Sequence, residues 1–241
     1  MEELKILGVK VHNVSLMETL SKIENFIKQG GCNLIVTLGT EMVMNAQKNQ
    51  EFKNIVNSAS LVCADGAGLL WATKRYGKQL KEKVAGVELF EEIVRLSGEK
   101  NWKLFFLGAD EGIAETAKNR LIEKYPGANI VGTHNGYFKN DNEIKDILKQ
   151  AKPDILFLAL GSPKQENWYN NHAKELNIPV GIGVGGSFDV FAGKVSRAPK
   201  WMIKYSLEWL YRLLCQPSRW KRMLALPLFM IKVIFSKKSH D

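Results

Sequence analysis

The chain has 241 residues, of which 45% are hydrophobic, 10% aromatic and 24% charged. These fractions exclude a disordered tail, a collagen-like fibre and a small disulfide scaffold, and they suit one large α/β domain, alone or with an appendage. Net charge is +9, and its distribution is uneven: residues 1–193 hold 23 basic and 23 acidic side chains, residues 194–241 hold 11 basic and 2 acidic. The last fifth of the chain therefore calls for an anionic partner: a lipid surface, nucleic acid or a phosphorylated substrate.

Three cysteines, Cys32, Cys63 and Cys215, have no metal-ligand spacing and read as reduced thiols in apolar surroundings of a cytosolic protein. The first residues lack an apolar h-region and a cleavage site, so no signal peptide is expected. The longest uncharged apolar run, Met223–Ile231, has nine residues, whereas a transmembrane helix needs roughly 20. No bilayer span is expected.

In chain order, Lys5–Val14 reads as a strand at the margin of a sheet. Ser15-x-x-Glu18 is a capping box that opens a helix over Ser15–Gln29. Short apolar runs then alternate with amphipathic stretches. Strands are predicted at Asn33–Val36, Leu61–Ala64, Leu104–Leu107, Ile130–Val131 with its flanks, Ile155–Leu160 and Val180–Val184. Helices are predicted roughly over Glu41–Ser58, Gly68–Tyr76, Val87–Ser97, Gly112–Lys124, Glu143–Gln150 and Lys164–Leu176. Most strand runs are apolar at consecutive positions, as strands covered on both faces should be. The expected fold class is α/β, a Rossmann-like, doubly wound and mostly parallel sheet over residues 1–195.

Composition changes near Arg197-Ala198-Pro199, and residues 196–241 are expected to form a helical appendage. A helix over about Pro199–Leu214 would put Trp201, Tyr205 and Trp209 on one face, and Pro217 would end or kink it. A second helical stretch, Ser218–Phe235, carries Arg219, Lys221 and Arg222 at its start and an almost wholly apolar body. An aromatic helix packed on the core would explain the three aromatics. It would not explain an exposed Leu224–Ile231, which in water is an aggregation risk. Basic residues beside a short apolar helix describe an interfacial membrane contact. Nucleic acid is the weaker partner, because no aromatic-basic groove or helix-turn-helix pattern supports it.

In open α/β sheets, ligands bind beyond the carboxyl ends of the strands. Those ends carry Thr37-Leu38-Gly39-Thr40, Asp65-Gly66-Ala67-Gly68, Gly108-Ala109, Gly132-Thr133 with Asn135-Gly136, Gly161-Ser162-Pro163-Lys164-Gln165-Glu166, and Gly183 to Asp189. Gly181-x-Gly183-x-Gly185-Gly186 is not a dinucleotide fingerprint and reads as tight packing. Asp65 is either a helix N-cap or a functional carboxylate; Asp189 reads as structural, closing its turn. His12, His134, His172 and His240 have no paired spacing, so neither a metal nor another cofactor is expected. No D-x-D pair exists to chelate a metal-bound diphosphate, which leaves its charge to Arg and Lys side chains.

Several segments recur in order: Asp65-Gly66, Val84-Ala85-Gly86-Val87-Glu88-Leu89-Phe90, Phe106-Leu107-Gly108-Ala109, Gly136-Tyr137-Phe138, Gly161 to Glu166, Gly183 to Asp189, Arg197-Ala198-Pro199, Leu207 to Leu213, Gln216-Pro217 and Arg219-Trp220. Over nearly the whole chain they resemble the WecG/TagA/CpsF glycosyltransferases, nearest to the TagA type. The resemblance implies a bacterial, cytoplasmic enzyme bound peripherally to the inner face of the membrane. It would transfer N-acetylmannosamine from UDP, with inversion, to the 4-hydroxyl of N-acetylglucosamine on undecaprenyl diphosphate, making the linkage unit of wall teichoic acid. Residues 196–241 would then cover the active site and meet the anionic membrane surface.

The resemblance and position assign the general base to Asp65. Thr37 and Gln165 would hold sugar or acceptor, and Arg212, Arg219 and Arg222 the diphosphate. Gly39, Gly108, Ala109 and Gly186 complete the expected substrate contacts. Two positions depart from the family pattern. Gly39 stands where Asn is frequent, and Lys83 stands where Arg is usual, which keeps the charge but not the bidentate fork. Other UDP-sugar donors, such as the uronic acid analogue or UDP-glucose, remain open, as does a homodimer. A nucleotide-dependent oxidoreductase would need a fingerprint this chain lacks. A non-catalytic, membrane-docked nucleotide-sugar binding protein is the remaining rival.

Overall fold

A computed structural model describes residues 1–205, 207–215, 217, 220 and 224–236. The chain begins with an antiparallel hairpin, β1 (Glu3–Ile6) and β2 (Val9–His12), followed by α1 (Leu16–Gln29). Ser15 accepts from the Glu18 amide while Glu18 accepts from the Ser15 amide, so the expected capping box is complete. Then come β3 (Asn33–Leu38), α2 (Thr40–Ala46), α3 (Gln50–Ser58), β4 (Leu61–Ala64), α4 (Ala67–Arg75) and α5 (Gly86–Ser97). The second half continues with β5 (Leu104–Gly108), α6 (Ile113–Lys124), β6 (Ile130–His134), α7 (Asp141–Ala151), β7 (Ile155–Ala159), α8 (Lys164–Leu176), β8 (Val180–Gly183) and α9 (Ser187–Phe191). The last described elements are α10 (Lys200–Lys204), α11 (Glu208–Cys215) and α12 (Ala225–Phe235).

The six strands β3 to β8 form one parallel sheet in the order β4-β3-β8-β7-β5-β6. Alternate residues feed two cores. Leu34, Val36, Leu38, Val62, Leu107 and Leu158 point to one face, shared with buried residues of α2, α3, α4, α7 and α8. Ile35, Cys63, Phe106, Phe157 and Ile182 point to the other, shared with α1, α5, α6 and α9. That face is aromatic, with Phe90 edge-on to Phe157 at 4.7 Å and Phe106 stacked on Phe188 at 5.0 Å. Burial on both faces is why β4, β5, β7 and β8 are apolar at consecutive positions. The sheet is doubly wound, as expected.

Four local expectations are corrected. The amino-terminal residues do not join the large sheet; they form their own hairpin, which meets the edge strand β4 through the His12 Nδ1 atom accepting from the Val62 amide at 2.9 Å. The stretch 41–58 is two helices, because the Asn49 side chain caps a new start by accepting from the Phe52 amide. Where one helix is expected over 199–214 there are two, α10 ending at Lys204 and α11 starting at Glu208, and Trp201 and Tyr205 are exposed instead of packed. Cys215 is exposed, whereas Cys63 lies in the core, where burial pushes its thiol up to about 12. Among the described residues no helix is long and apolar enough to cross a membrane.

Helix α12 returns to the core and packs on α2 and α4. Phe229 and Val233 are fully buried there, and the Tyr76 hydroxyl meets the Ser236 hydroxyl at 2.7 Å. The approach is close: a Cβ at Gly68 would stand 2.6 Å from the Thr40 methyl and 3.3 Å from Leu226.

Candidate active site

Chain direction at the strand ends creates the site. The connection leaving β3 turns to one face of the sheet through α2, whereas that leaving the adjacent β8 turns to the other through α9. Such a divergence opens a crevice at the carboxyl edge. A cavity of about 460 Å³ lies there, lined by Thr37 and Gly39 from the end of β3, Asp65 and Gly66 after β4, and Val184, Gly186 and Ser187 after β8. Lys83 and Gly86 close one side. The other is closed by Glu208, Trp209, Leu226 and Met230, which come from α11 and α12.

Asp65 is not the N-cap of α4; that position is held by Gly66, at φ +116°. The Asp65 carboxylate instead accepts from the Gly86 amide at 3.0 Å, at the start of α5, where the helix dipole favours a negative charge. Gly86 is needed at that point. A Cβ there would stand 2.8 Å from the Thr37 hydroxyl and 3.5 Å from Asp65 Oδ2, so both side chains press against the same backbone atom. The Thr37 hydroxyl in turn donates to the Gly183 carbonyl at 3.2 Å. Three strand ends are thus tied together around one carboxylate.

Of the residues expected to form the site, Asp65, Thr37, Gly39, Lys83 and Gly186 converge on this cavity. Lys83 is the one cation among its described lining residues, which also include the carboxylates of Glu41, Asp65 and Glu208. Gln165 stands behind the wall, 4% exposed, with its amide oxygen accepting from the Gly185 amide at 3.3 Å and its amide nitrogen donating to Glu166 at 2.7 Å. Ala109 lines a second cavity, of about 680 Å³, at the ends of β5, β6 and β7. Gly108 lines neither; a Cβ on it would stand 2.5 Å from the Ala159 backbone, so it serves close strand packing. Arg212 lies in α11, and Arg219 and Arg222 lie outside the described residues.

The second cavity shares the carboxyl edge with the first. Tyr137, 74% exposed, stands at its rim and donates from its hydroxyl to Asp110 at 2.9 Å. Lys194 pairs with Asp110 and lies 3.7 Å from Asp189, which holds Asp110 below the usual carboxylate range. The Asp189 backbone carbonyl accepts from the Lys194 and Val195 amides at 2.9 and 3.1 Å, closing the chain after α9. Arg197 pairs with Glu88 in the first turn of α5, fixing where the chain leaves the core. Reading strand ends missed Glu41, Trp71, Glu208, Trp209 and Met230, because these reach the cavity from helices. Among the described residues no group of three or more His, Cys, Asp or Glu side chains could hold a metal ion.

The Glycosyl transferase WecG/TagA/CpsF family model matches residues 4–241. Three relatives bear the name N-acetylglucosaminyldiphosphoundecaprenol N-acetyl-beta-D-mannosaminyltransferase. The one from Bacillus spizizenii is 35% identical over 92% of this chain and 84% of its own length. That from Bacillus subtilis is 32% identical, over 95% and 92%, and that from Staphylococcus aureus is 34% identical, over 97% and 92%. A site built at a doubly wound crevice, together with matches of this extent, assigns the chain to the WecG/TagA/CpsF family of glycosyl transferases.

Proposed function

We propose that this enzyme transfers N-acetylmannosamine from its UDP donor to the 4-hydroxyl of N-acetylglucosamine on undecaprenyl diphosphate, with inversion to a β-1,4 linkage. The names of the relatives support donor sugar and acceptor. The observation that carries the mechanism is the Asp65 carboxylate, anchored on the Gly86 amide in a cavity of sugar size. In the transfer, the acceptor 4-oxygen forms a bond to the anomeric carbon and Asp65 takes the hydroxyl proton. The bond from that carbon to the diphosphate oxygen breaks, and its electron pair leaves with UDP. Lys83 supplies positive charge in the cavity, and Arg212, Arg219 and Arg222 neutralise the leaving diphosphate without a metal. The larger cavity takes the nucleoside, with the exposed Tyr137 ring available for stacking on uracil.

A lipid-linked acceptor requires the site to open at a membrane, and α12 supports that reading. Apart from Lys232 it is apolar all round: Phe229 and Val233 face the core, while Leu228, Ile231, Ile234 and Phe235, with Leu224 at its N-cap, are exposed on the far side. Residues 196–241 thus serve as lid and as interfacial contact that enters one leaflet, and their excess of basic residues suits anionic headgroups. The test is UDP release from UDP-N-acetylmannosamine with a lipid-diphosphate-N-acetylglucosamine acceptor, for wild type and Asp65→Asn. Acceptor-dependent release lost in the variant, with the fold retained, is the expected result. Release only from another UDP-sugar would correct the donor; no release from any donor would leave a nucleotide-sugar binding protein.

A further inference from the structure

Between the two cavities runs a wall whose inner layer contains a buried carboxyl group that the proposed transfer does not use. Glu166, in the first turn of α8, is 1% exposed. Its Oε1 atom accepts from Gln165 at 2.7 Å, and its Oε2 atom is buried without a hydrogen-bond partner among the described residues. Burial pushes this carboxyl up, against the opposing effects of Gln165 and Ser162. Isolated buried carboxyl groups are costly, so one in this position calls for a reason. The reason lies overhead. A Cβ on Gly183 would stand 2.2 Å from the Gln165 amide nitrogen and 3.0 Å from Glu166 Oε1, so the pair lies directly against the end of β8.

We infer that Glu166 is a positioning residue for the transfer: by fixing the orientation of the Gln165 amide, it holds the Gly183–Gly185 turn, and with it Thr37 and the Gly186–Ser187 side of the Asp65 cavity. The chain of contacts is continuous. Glu166 accepts from the Gln165 amide nitrogen, which directs the Gln165 oxygen at the Gly185 amide. Gly185 sits at φ +50°, one of several conformations open to glycine, so the bond from its amide to Gln165 selects this turn. The Gly183 carbonyl on the same turn receives the Thr37 hydroxyl, and Thr37 and Asp65 share the Gly86 backbone. If Glu166 is lost, the Gln165 amide is free to flip, which would present its NH₂ to the Gly185 amide and repel it.

The inference rests on the reading of the Asp65 cavity as the site of transfer, and its test keeps the two apart. Acceptor-dependent UDP release is measured for Asp65→Asn, Glu166→Ala, Glu166→Gln, Gln165→Ala and the Gln165→Ala/Glu166→Ala double variant, with thermal melts of each. Loss in Asp65→Asn establishes the reading independently. Glu166→Ala is expected to lower kcat by about 100-fold, the effect of a small misplacement in a catalytic site, with KM for the donor little changed. Glu166→Gln keeps an acceptor oxygen opposite Gln165 and is expected to restore kcat to within a few-fold of wild type. The double variant is expected to be no worse than the poorer single one, because both remove the same link. Losses that multiply in the double variant, or Glu166→Ala turning over like wild type while Asp65→Asn is inactive, would overturn the inference. A merely structural role would lower the melting temperature and the active fraction in Glu166→Ala without the rescue by Gln.

Discussion

Replacing Phe229 by alanine should detach α12 without unfolding the core. Phe229 and Val233 are the two fully buried side chains of α12, inserted among α2 and α4. Burying such side chains contributes roughly 1.5–3 kcal/mol each, so α12 is held by roughly 3–6 kcal/mol before the ordering cost of the chain is subtracted. A buried Phe→Ala change removes roughly 3–5 kcal/mol, at least half of that hold. At about 1.4 kcal/mol per factor of ten, docking weakens by at least about 100-fold. The parallel sheet and its other helices do not depend on this contact, and the melting temperature of the core should shift little. Amide hydrogen exchange over 225–235 should rise by about the same factor, at least about 100-fold. Leu226 and Met230 would leave the cavity wall with the helix, and transfer activity should fall with the lid. Wild-type protection over 225–235 together with undiminished turnover would refute the reasoning. So would a core that melts cooperatively with α12.

Three further outcomes follow from particular contacts. Gly86→Ala places a methyl group 2.8 Å from the Thr37 hydroxyl. Alanine suits a helix start, so the melting temperature should hold while transfer drops by at least about ten-fold, as expected when a positioned group is displaced; unchanged kcat would show that Thr37 has room to turn away. His12 is held neutral, its pKa lowered to about 4 chiefly by burial and next by Lys10. The unfolded chain, whose His has the ordinary value of about 6.5, takes up the proton first as pH falls. Its contribution to stability is therefore complete above that value, declines as pH drops toward 4, and levels off below, up to about 3 kcal/mol in total. Urea midpoints across that window should fall more steeply in wild type than in His12→Gln; parallel curves would show that His12 is not the group responsible. Leu228→Ser with Ile231→Ser removes apolar surface from the exposed side of α12. Sedimentation with vesicles containing anionic lipid should drop several-fold, with UDP release from soluble acceptor analogues retained; undiminished sedimentation would assign the membrane contact elsewhere.

Much of the fold is legible in the sequence because two-sided burial leaves a plain mark. Leu61–Ala64 and Ile155–Ala159 are apolar at every position and buried at every position, and no surface strand would tolerate that. Helix continuity is harder to read. Residues 41–58 carry apolar positions at helical spacing throughout, since α2 and α3 bury faces in the same core. The break between them is signalled only by Asn49, whose capping role needs the chain to turn there. The aromatic spacing of Trp201, Tyr205 and Trp209 is equally real, yet it does not mark a buried face. The chain turns after Lys204, and Trp209 reaches the cavity wall from the next helix.

The candidate site divides along the same line. Topology alone places the carboxyl ends of β3, β4 and β8 side by side, so Thr37, Asp65 and Gly186 were recoverable by reading strand ends. What topology cannot state is which partner each side chain takes. Asp65 lies one residue before the N-cap of α4 and binds a different helix, because Gly66 at φ +116° carries the chain away from it and the Gly86 amide, 21 residues on, is turned toward it. Glu208, Trp209 and Met230 belong to helices that arrive from the far end of the chain, so no local pattern marks them. Their presence changes the chemistry of the cavity. Without α11 and α12 the cavity would lie open on that side; with them its wall carries the Trp209 indole, the Met230 thioether and Leu226 carbon beside the Glu208 carboxylate. An inverting transferase must favour a sugar hydroxyl over water as nucleophile. On the proposed reaction that selectivity would fall to α11 and α12, and the exposed apolar side of α12 would couple productive transfer to arrival at a lipid-linked acceptor.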